Sequence, residues 1–199
     1  GYLGRLREAL AGRGFACPVF LITSAGGLCT LEAAQHYPIR LVESGPAGGA
    51  ILASRLAQQC GFDQVVSFDM GGTTAKICLD SLRRIHVGPE SASSEPGPAC
   101  YGRGGSQATV TDADLVLGTI DPARFAGGSI RLESKLAEAA MQTSLGSLGF
   151  TAEQAAFGIV EVVEENMANA ARIHAVERGK ELAGRTMIAF GGAAPLHAA

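Results

Sequence analysis

Short apolar runs alternate with knots of glycine along this chain, and the alternation predicts strands and helices by turns. Val19-Phe20-Leu21-Ile22-Thr23 reads as a short buried strand, broken by Ser24-Ala25-Gly26-Gly27. Residues 31–36 form one or two helical turns ended by Pro38, and residues 39–42 read as extended. Pro46 opens a helix that runs to residue 59, with proline in the first turn and Gly61 just past the end. Ile51, Leu52, Ala53 and Leu56 supply its apolar side. Residues 65–68 are a strand, residues 75–79 another, and the Gly-Gly turn between them predicts a hairpin. Residues 86–114 are rich in Gly, Pro and Ser and read as a long functional or mobile loop. Residues 132–141 predict a modest helix. Thr151-Ala152-Glu153-Gln154 is a capping box, and the helix it opens runs to about Arg178 and stops at Gly179. Ala156, Ile159, Val160, Val163, Met167, Ala170, Ala171 and His174 share one face of it, which predicts a core histidine. A last strand over residues 187–190 runs into Gly191-Gly192-Ala193-Ala194-Pro195. An apolar strand followed by Gly-Gly therefore occurs twice, at 68–72 and at 190–192.

Composition narrows the function. The 199 residues are 47% hydrophobic and 18% charged, which supplies a core and excludes a disordered chain. A net charge of −3 and the absence of Trp exclude a general electrostatic or stacking grip on nucleic acid. No apolar run approaches the roughly 20 residues that span a bilayer, and Gly1-Tyr2-Leu3-Gly4-Arg5 has no signal-peptide pattern. The five cysteines form no C-x-x-C pair, which points to reduced cysteines acting as small hydrophobes in a cytoplasmic protein.

The 27 glycines carry the chemistry. A glycine pair after a strand lets the backbone turn sharply and aim free N–H groups at an anion. In Asp69-Met70-Gly71-Gly72-Thr73-Thr74 the glycine amides and threonine hydroxyls suit nucleotide phosphates, and Asp69 suits a Mg²⁺ ion held through its waters. The competing reading is a hairpin turn with no ligand. The motif is not a Walker loop, since no G-K-[ST] follows at the required spacing. Gly191-Gly192 and the small residues after them would let a nucleoside lie against backbone, although a plain strand-to-helix turn reads equally well. Glu43-Ser44-Gly45-Pro46-Ala47-Gly48-Gly49 offers a helix entry for an anion or, more simply, close helix–strand packing. Arg103, in the Gly-rich run from Pro96 to Gly105, could meet an anion, and Cys100 has no histidine partner nearby in sequence. The four histidines show no metal-ligand spacing.

Taken in order, several runs together resemble the hydantoinase A/oxoprolinase family. They are Arg40-Leu41-Val42-Glu43-Ser44-Gly45-Pro46-Ala47-Gly48-Gly49-Ala50, Phe68-Asp69-Met70-Gly71-Gly72-Thr73-Thr74-Ala75-Lys76 and Gly97-Pro98-Ala99-Cys100-Tyr101-Gly102-Arg103-Gly104-Gly105. Thr109-Val110-Thr111-Asp112-Ala113-Asp114-Leu115-Val116-Leu117-Gly118 and Ala189-Phe190-Gly191-Gly192-Ala193-Ala194-Pro195-Leu196-His197-Ala198 complete the set.

The resemblance implies an α/β fold, part of a ribonuclease-H-like lobe of the superfamily of actin, sugar kinases and heat-shock chaperone ATPases. It implies ATP and Mg²⁺ as cofactors, with Gly71, Gly72, Thr73 and Thr74 on the second phosphate loop, Asp69 at the metal and chemistry, and Gly191 with Gly192 on the adenosine side. It makes the helix from Pro46 a connecting helix, which favours packing there. The implied activity is ATP-dependent opening of a cyclic amide such as a hydantoin or 5-oxoproline, with a hydantoinase B-type β subunit or domain as partner. The alternatives are an ATP-binding subunit of a ketone carboxylase and a non-catalytic nucleotide-binding module or inactive fragment. The superfamily's first phosphate loop is absent, and Asp80-Ser81-Leu82-Arg83-Arg84 stands where the family carries several dozen more residues. Residues 1–199 are thus expected to be the core of a larger subunit, without its N-terminal lobe and C-terminal part. Ala108 and Ala194 stand where the family pattern has Pro and Gly.

Overall fold

In a computed structural model that describes residues 1–71 and 74–198, the chain folds as two units. The first comprises Gly1–Asp69 and Gly184–Phe190; the second comprises Met70–Ala183 and the segment from Gly191 onward.

The first unit begins with helix α1 (Tyr2–Gly12), which the sequence pattern did not reveal. Strands β1 (Phe20–Ile22) and β2 (Leu28–Thr30) form an antiparallel hairpin, with Leu21 opposite Cys29. Gly26 turns it with φ of 80°, a conformation that favours glycine. Phe20 is 53% exposed, so this strand is not the buried one expected. Thr30 ends β2 and caps α2 (Leu31–His36), accepting a hydrogen bond from the Ala33 amide. Pro38–Leu41 is a 3-10 turn rather than extended chain, because Pro38 sets a helical φ at its first position. Helix α3 (Ser44–Cys60) ends at Gly61 in the left-handed conformation, as Gly61 predicted. It buries Gly49, Ala53 and Ala57, whereas Ile51, Leu52 and Leu56 are exposed. The small-residue face, not the large apolar one, meets the strands.

Strand β3 (Val65–Asp69) does not pair with the next strand in sequence. It lies parallel to β6 (Thr186–Phe190), in register from Val65 opposite Thr186 to Asp69 opposite Phe190. The expected hairpin is therefore absent. The strand after the Gly-Gly turn, β4 (Ala75–Leu79), instead pairs antiparallel with β5 (Ile85–Ser91) in the second unit.

The β4–β5 turn is organised by one carboxylate. Asp80 accepts hydrogen bonds from the amides of Leu82 (2.8 Å) and Arg84 (2.9 Å) and from the Arg84 guanidinium (2.7 Å). Three helices complete the second unit: α4 (Val110–Val116), α5 (Ser134–Leu145) and α6 (Ala152–Glu177). Strand β5 and α4 thus take the two ends of the segment expected to be loop, whereas residues 92–109 between them hold only the 3-10 turn Ala99–Tyr101 and are otherwise loop. The Thr151 capping box forms as read, with both reciprocal hydrogen bonds present. Ile77, Val110, Met141, Leu145, Ile159 and Val163 make the core, and each large apolar side chain fully buried there contributes about 1.5–3 kcal/mol. His174 is exposed on α6, although its neighbour Ala175 is buried, and is not a core histidine.

Candidate functional site

Parallel strands release their chain continuations at the same end, where α/β proteins commonly hold ligands. The in-register pairing of Asp69 with Phe190 therefore starts both Gly-Gly segments from neighbouring strand ends. The repeated strand-then-Gly-Gly pattern is realised as two adjacent parallel strands.

In the second unit the two segments are tied directly. The Met70 carbonyl accepts hydrogen bonds from the amides of Ala193 (3.0 Å) and Ala194 (3.3 Å). Gly191 has φ of 93°, which favours glycine. Gly71 and Gly192 are exposed, and a Cβ added at either would meet nothing within 4 Å. Backbone at both positions is open to an approaching group. Gly72 and Thr73 lie outside the described residues. The Thr74 hydroxyl is 2.8 Å from that of Ser91, and the Thr74 carbonyl accepts from the Ala92 amide (2.8 Å), which fixes the entry to β4. Asp69 closes β3 in the first unit with its side chain exposed.

Beside Gly192 lies an open cavity of about 300 Å³, lined by Thr119, Asp121, Arg124, Phe125 and Leu196 among others. Sequence reasoning did not single out these loop residues. Two local signals mark them. Asp121 accepts from the Ala123 amide (2.9 Å) in an Asx turn, and Ala126 has φ of 50°, uncommon for a residue with a Cβ. Phe125 packs tilted against Tyr101, ring centroids 5.7 Å apart.

Two buried polar groups organise the residues around α4. The Asp112 carboxylate accepts from the Thr109 amide (3.0 Å) and hydroxyl (2.8 Å), the Ala99 amide (3.2 Å) and the Cys100 amide (2.8 Å). It completes a capping box at α4 and pins the Gly-rich loop to that helix. His197, at the end of the single turn Ala194–Leu196, is buried against Asp114 of α4 and Glu164 of α6. The close approach of the Asp114 carboxylate leads the effects that raise its pKa, against the opposing effect of burial.

The remaining motifs are structural. A Cβ on Gly49 would overlap the Phe190 ring, and one on Gly48 would sit 3.1 Å from Ile22. These glycines permit close packing within the first unit. Cys100 is fully buried, and burial first, then Asp112, pushes its thiol far above the usual range. It is not an available nucleophile. Arg103 donates to the Ser94 carbonyl (3.3 Å) and lies 5.7 Å from the Tyr101 ring centroid. Among the described residues no group of three or more His, Cys, Asp or Glu side chains could hold a metal ion, and no helix is long and apolar enough to cross a membrane.

Comparison with known proteins supplies the family. The hydantoinase/oxoprolinase family model matches residues 1–81 and 77–199. An uncharacterised protein of Methanocaldococcus jannaschii is 31% identical over 98% of this chain and 36% of its own length. The caprolactamase α subunit of Pseudomonas jessenii is 31% identical over 98% of this chain and 34% of its own length. The crystal structure of that ATP-dependent caprolactamase overlays with a TM-score of 0.76, at 30% identity over 99% of this chain and 34% of that one. The nucleotide-free structure of acetone carboxylase overlays with a TM-score of 0.85 over 98% of this chain and 33% of that one, at 24% identity, a likeness of fold. The chain spans about a third of the length of these relatives. By sequence and by its mixed α/β fold, it belongs to the hydantoinase/oxoprolinase family.

Proposed function

We propose that this chain is the core of an ATP-binding subunit that opens a cyclic amide at the expense of ATP. The observation that carries the reading is the tie between the two Gly-Gly segments: the Met70 carbonyl held by the amides of Ala193 and Ala194. That tie supports one ligand spanning both segments. The phosphates would take the amides of Gly71 and Gly72 and the hydroxyls of Thr73 and Thr74. The nucleoside would lie by Gly191 and Gly192, and the cavity beside Gly192 offers Phe125 for apolar contact and Arg124 for charge. Mg²⁺ keeps most of its water and needs only one or two carboxylates. The exposed Asp69 fits that role through water, and the ion would offset charge on the transferring phosphoryl group.

ATP answers a chemical difficulty. An amide carbonyl is a poor electrophile. Transfer of the terminal phosphoryl group to the carbonyl oxygen releases ADP and leaves a carbon open to water. Loss of phosphate and cleavage of the ring C–N bond then give the amino acid product. The chain's own part is positioning and charge stabilisation. Ring-opening groups would come from a further lobe or a hydantoinase B-type partner. The two family matches overlap at residues 77–81, which supports reading the Asp80–Arg84 turn as the point where longer relatives carry several dozen more residues. This chain itself is read as part of a ribonuclease-H-like lobe, working in the cytoplasm.

Calorimetric titration with Mg-ATP tests the site. The isolated chain should bind weakly, in the high micromolar range or above, and a Gly72→Val variant should abolish binding. Unchanged affinity would remove the phosphate assignment. Co-expression with a neighbouring subunit, followed by assay of hydantoins, 5-oxoproline and aromatic ketones, separates ring opening from carboxylation and from a binding module without turnover.

A further inference from the structure

The His197 ring sits between two carboxylates, and its surroundings select one charge state. Its side chain is fully buried, and that of Asp114 is 1% exposed. Nε2 is 3.5 Å from Asp114 Oδ1, and Nδ1 is 3.7 Å from Glu164 Oε1. Among the described residues, neither ring nitrogen nor Asp114 Oδ2 has a partner within hydrogen-bond geometry. A neutral imidazole has one donor and one acceptor nitrogen. With a carboxylate on each side, the acceptor nitrogen would face an oxygen lone pair at close range, at the buried Asp114 or at Glu164, whose side chain is 40% exposed. The imidazolium, with a donor on both nitrogens, matches both partners.

What His197 secures is the segment before it. Its own amide donates to the Ala194 carbonyl (3.3 Å). Ala193 and Ala194 hold the Met70 carbonyl, and Gly192 and Leu196 line the cavity. The anchor on the other side is firm, because α4 is fixed by the four hydrogen bonds to Asp112.

We propose that His197 is a positioning residue: as a cation bridging Asp114 and Glu164 it clamps the Gly191–Leu196 segment, so that nucleotide affinity falls as rising pH removes its proton. The coupling to affinity rests on the nucleotide reading above; the clamp does not. The charged groups facing the ring are Asp114 from α4 and Glu164 from α6. On the cavity wall that Leu196 shares, Asp121 and Arg124 pair with each other at 3.5 Å and are exposed. Asp112, two residues before Asp114, is occupied by its own donors. The sign follows from the raised pKa. The clamp is complete below the ordinary histidine value of about 6.5 and is lost as pH rises through the higher folded-state value.

The test uses the 199-residue chain and its His197→Gln and Asp114→Asn variants. Histidine NMR should show His197, assigned by its loss in His197→Gln, titrating above about 6.5. Amide exchange, corrected for intrinsic rate, should show protection of residues 191–198 falling about tenfold across that titration. His197→Gln should show low, pH-independent protection, and Asp114→Asn should move the His197 titration down. Mg-ATP affinity should weaken about five- to tenfold over the same range in the wild type and stay flat in His197→Gln. A His197 that titrates below 6.5, or protection independent of pH in the wild type, overturns the clamp. Absence of Mg-ATP binding at every pH would remove the nucleotide reading alone, and the titration and exchange results would still decide the clamp. Binding whose pH profile survives His197→Gln would overturn the coupling.

Discussion

The Met70 carbonyl oxygen lies 3.0 Å from the Ala193 amide nitrogen, although more than a hundred residues separate them in sequence. A second bond, from Ala194, makes the contact two-fold. Segments that begin after different strands are thereby held as one feature.

Close packing of α3 in the first unit should distinguish two glycines of the same helix. Gly49→Ala places a methyl into the Phe190 ring, and overpacking costs about 1–3 kcal/mol. Better helix propensity returns at most about 1 kcal/mol, so net destabilisation is expected. Gly45→Ala meets nothing within 4 Å and should stabilise by about 0.5–1 kcal/mol. Urea unfolding of both variants checks the pair, and equal effects would refute the packing assignment.

Replacing the buried acceptor Asp112 should be among the most damaging single changes. Asp112→Ala strands the Ala99, Cys100 and Thr109 amides and the Thr109 hydroxyl, with an expected cost of at least about 3 kcal/mol. Chemical denaturation measures it, and a cost below 1 kcal/mol would show that these bonds are replaceable.

Acid should loosen the β4–β5 turn. Backbone hydrogen bonding from Arg84, followed by its side chain and the Leu82 amide, holds the Asp80 carboxyl well below the usual range. A depressed folded-state pKa gives stability that is present above the unfolded value of about 3.9 and is lost as pH falls toward the folded one. Asp80→Asn should remove that part of the acid dependence. Stability measured between pH 2 and 6 would show the two curves converging at the acid end; parallel curves would contradict the assignment.

Thiol labelling should sort the cysteines by burial. All five are free; Cys17, Cys60 and Cys78 are exposed, Cys29 is half-buried and Cys100 is buried. A maleimide should label the exposed three rapidly and Cys100 only after unfolding, as its raised pKa also requires. Rapid native labelling of Cys100 would reopen a chemical role for it.

Local chemistry made some of this fold legible in the sequence. Gly61 ended α3, the Thr151 capping box started α6, and the strand before Gly191 formed as expected. Partner choice was not legible. Strand β3 took β6, far along the chain, over the neighbour that a Gly-Gly turn suggested, since nothing local encodes a parallel partner. Helix α4 was hidden because its seven residues follow a Gly- and Pro-rich run and depend on the Thr109–Asp112 capping box. Of the candidate site, the glycine segments could be read from pattern. The cavity wall from Thr119 to Phe125 could not, because loop residues meet there only through the fold.

A crystal structure of the chain with Mg²⁺ and a non-hydrolysable ATP analogue tests the central claim most directly. The account predicts phosphate oxygens on the amides of residues 71–74 and the nucleoside beside Gly191 and Gly192. A triphosphate bound elsewhere, with both glycine segments vacant, would contradict it.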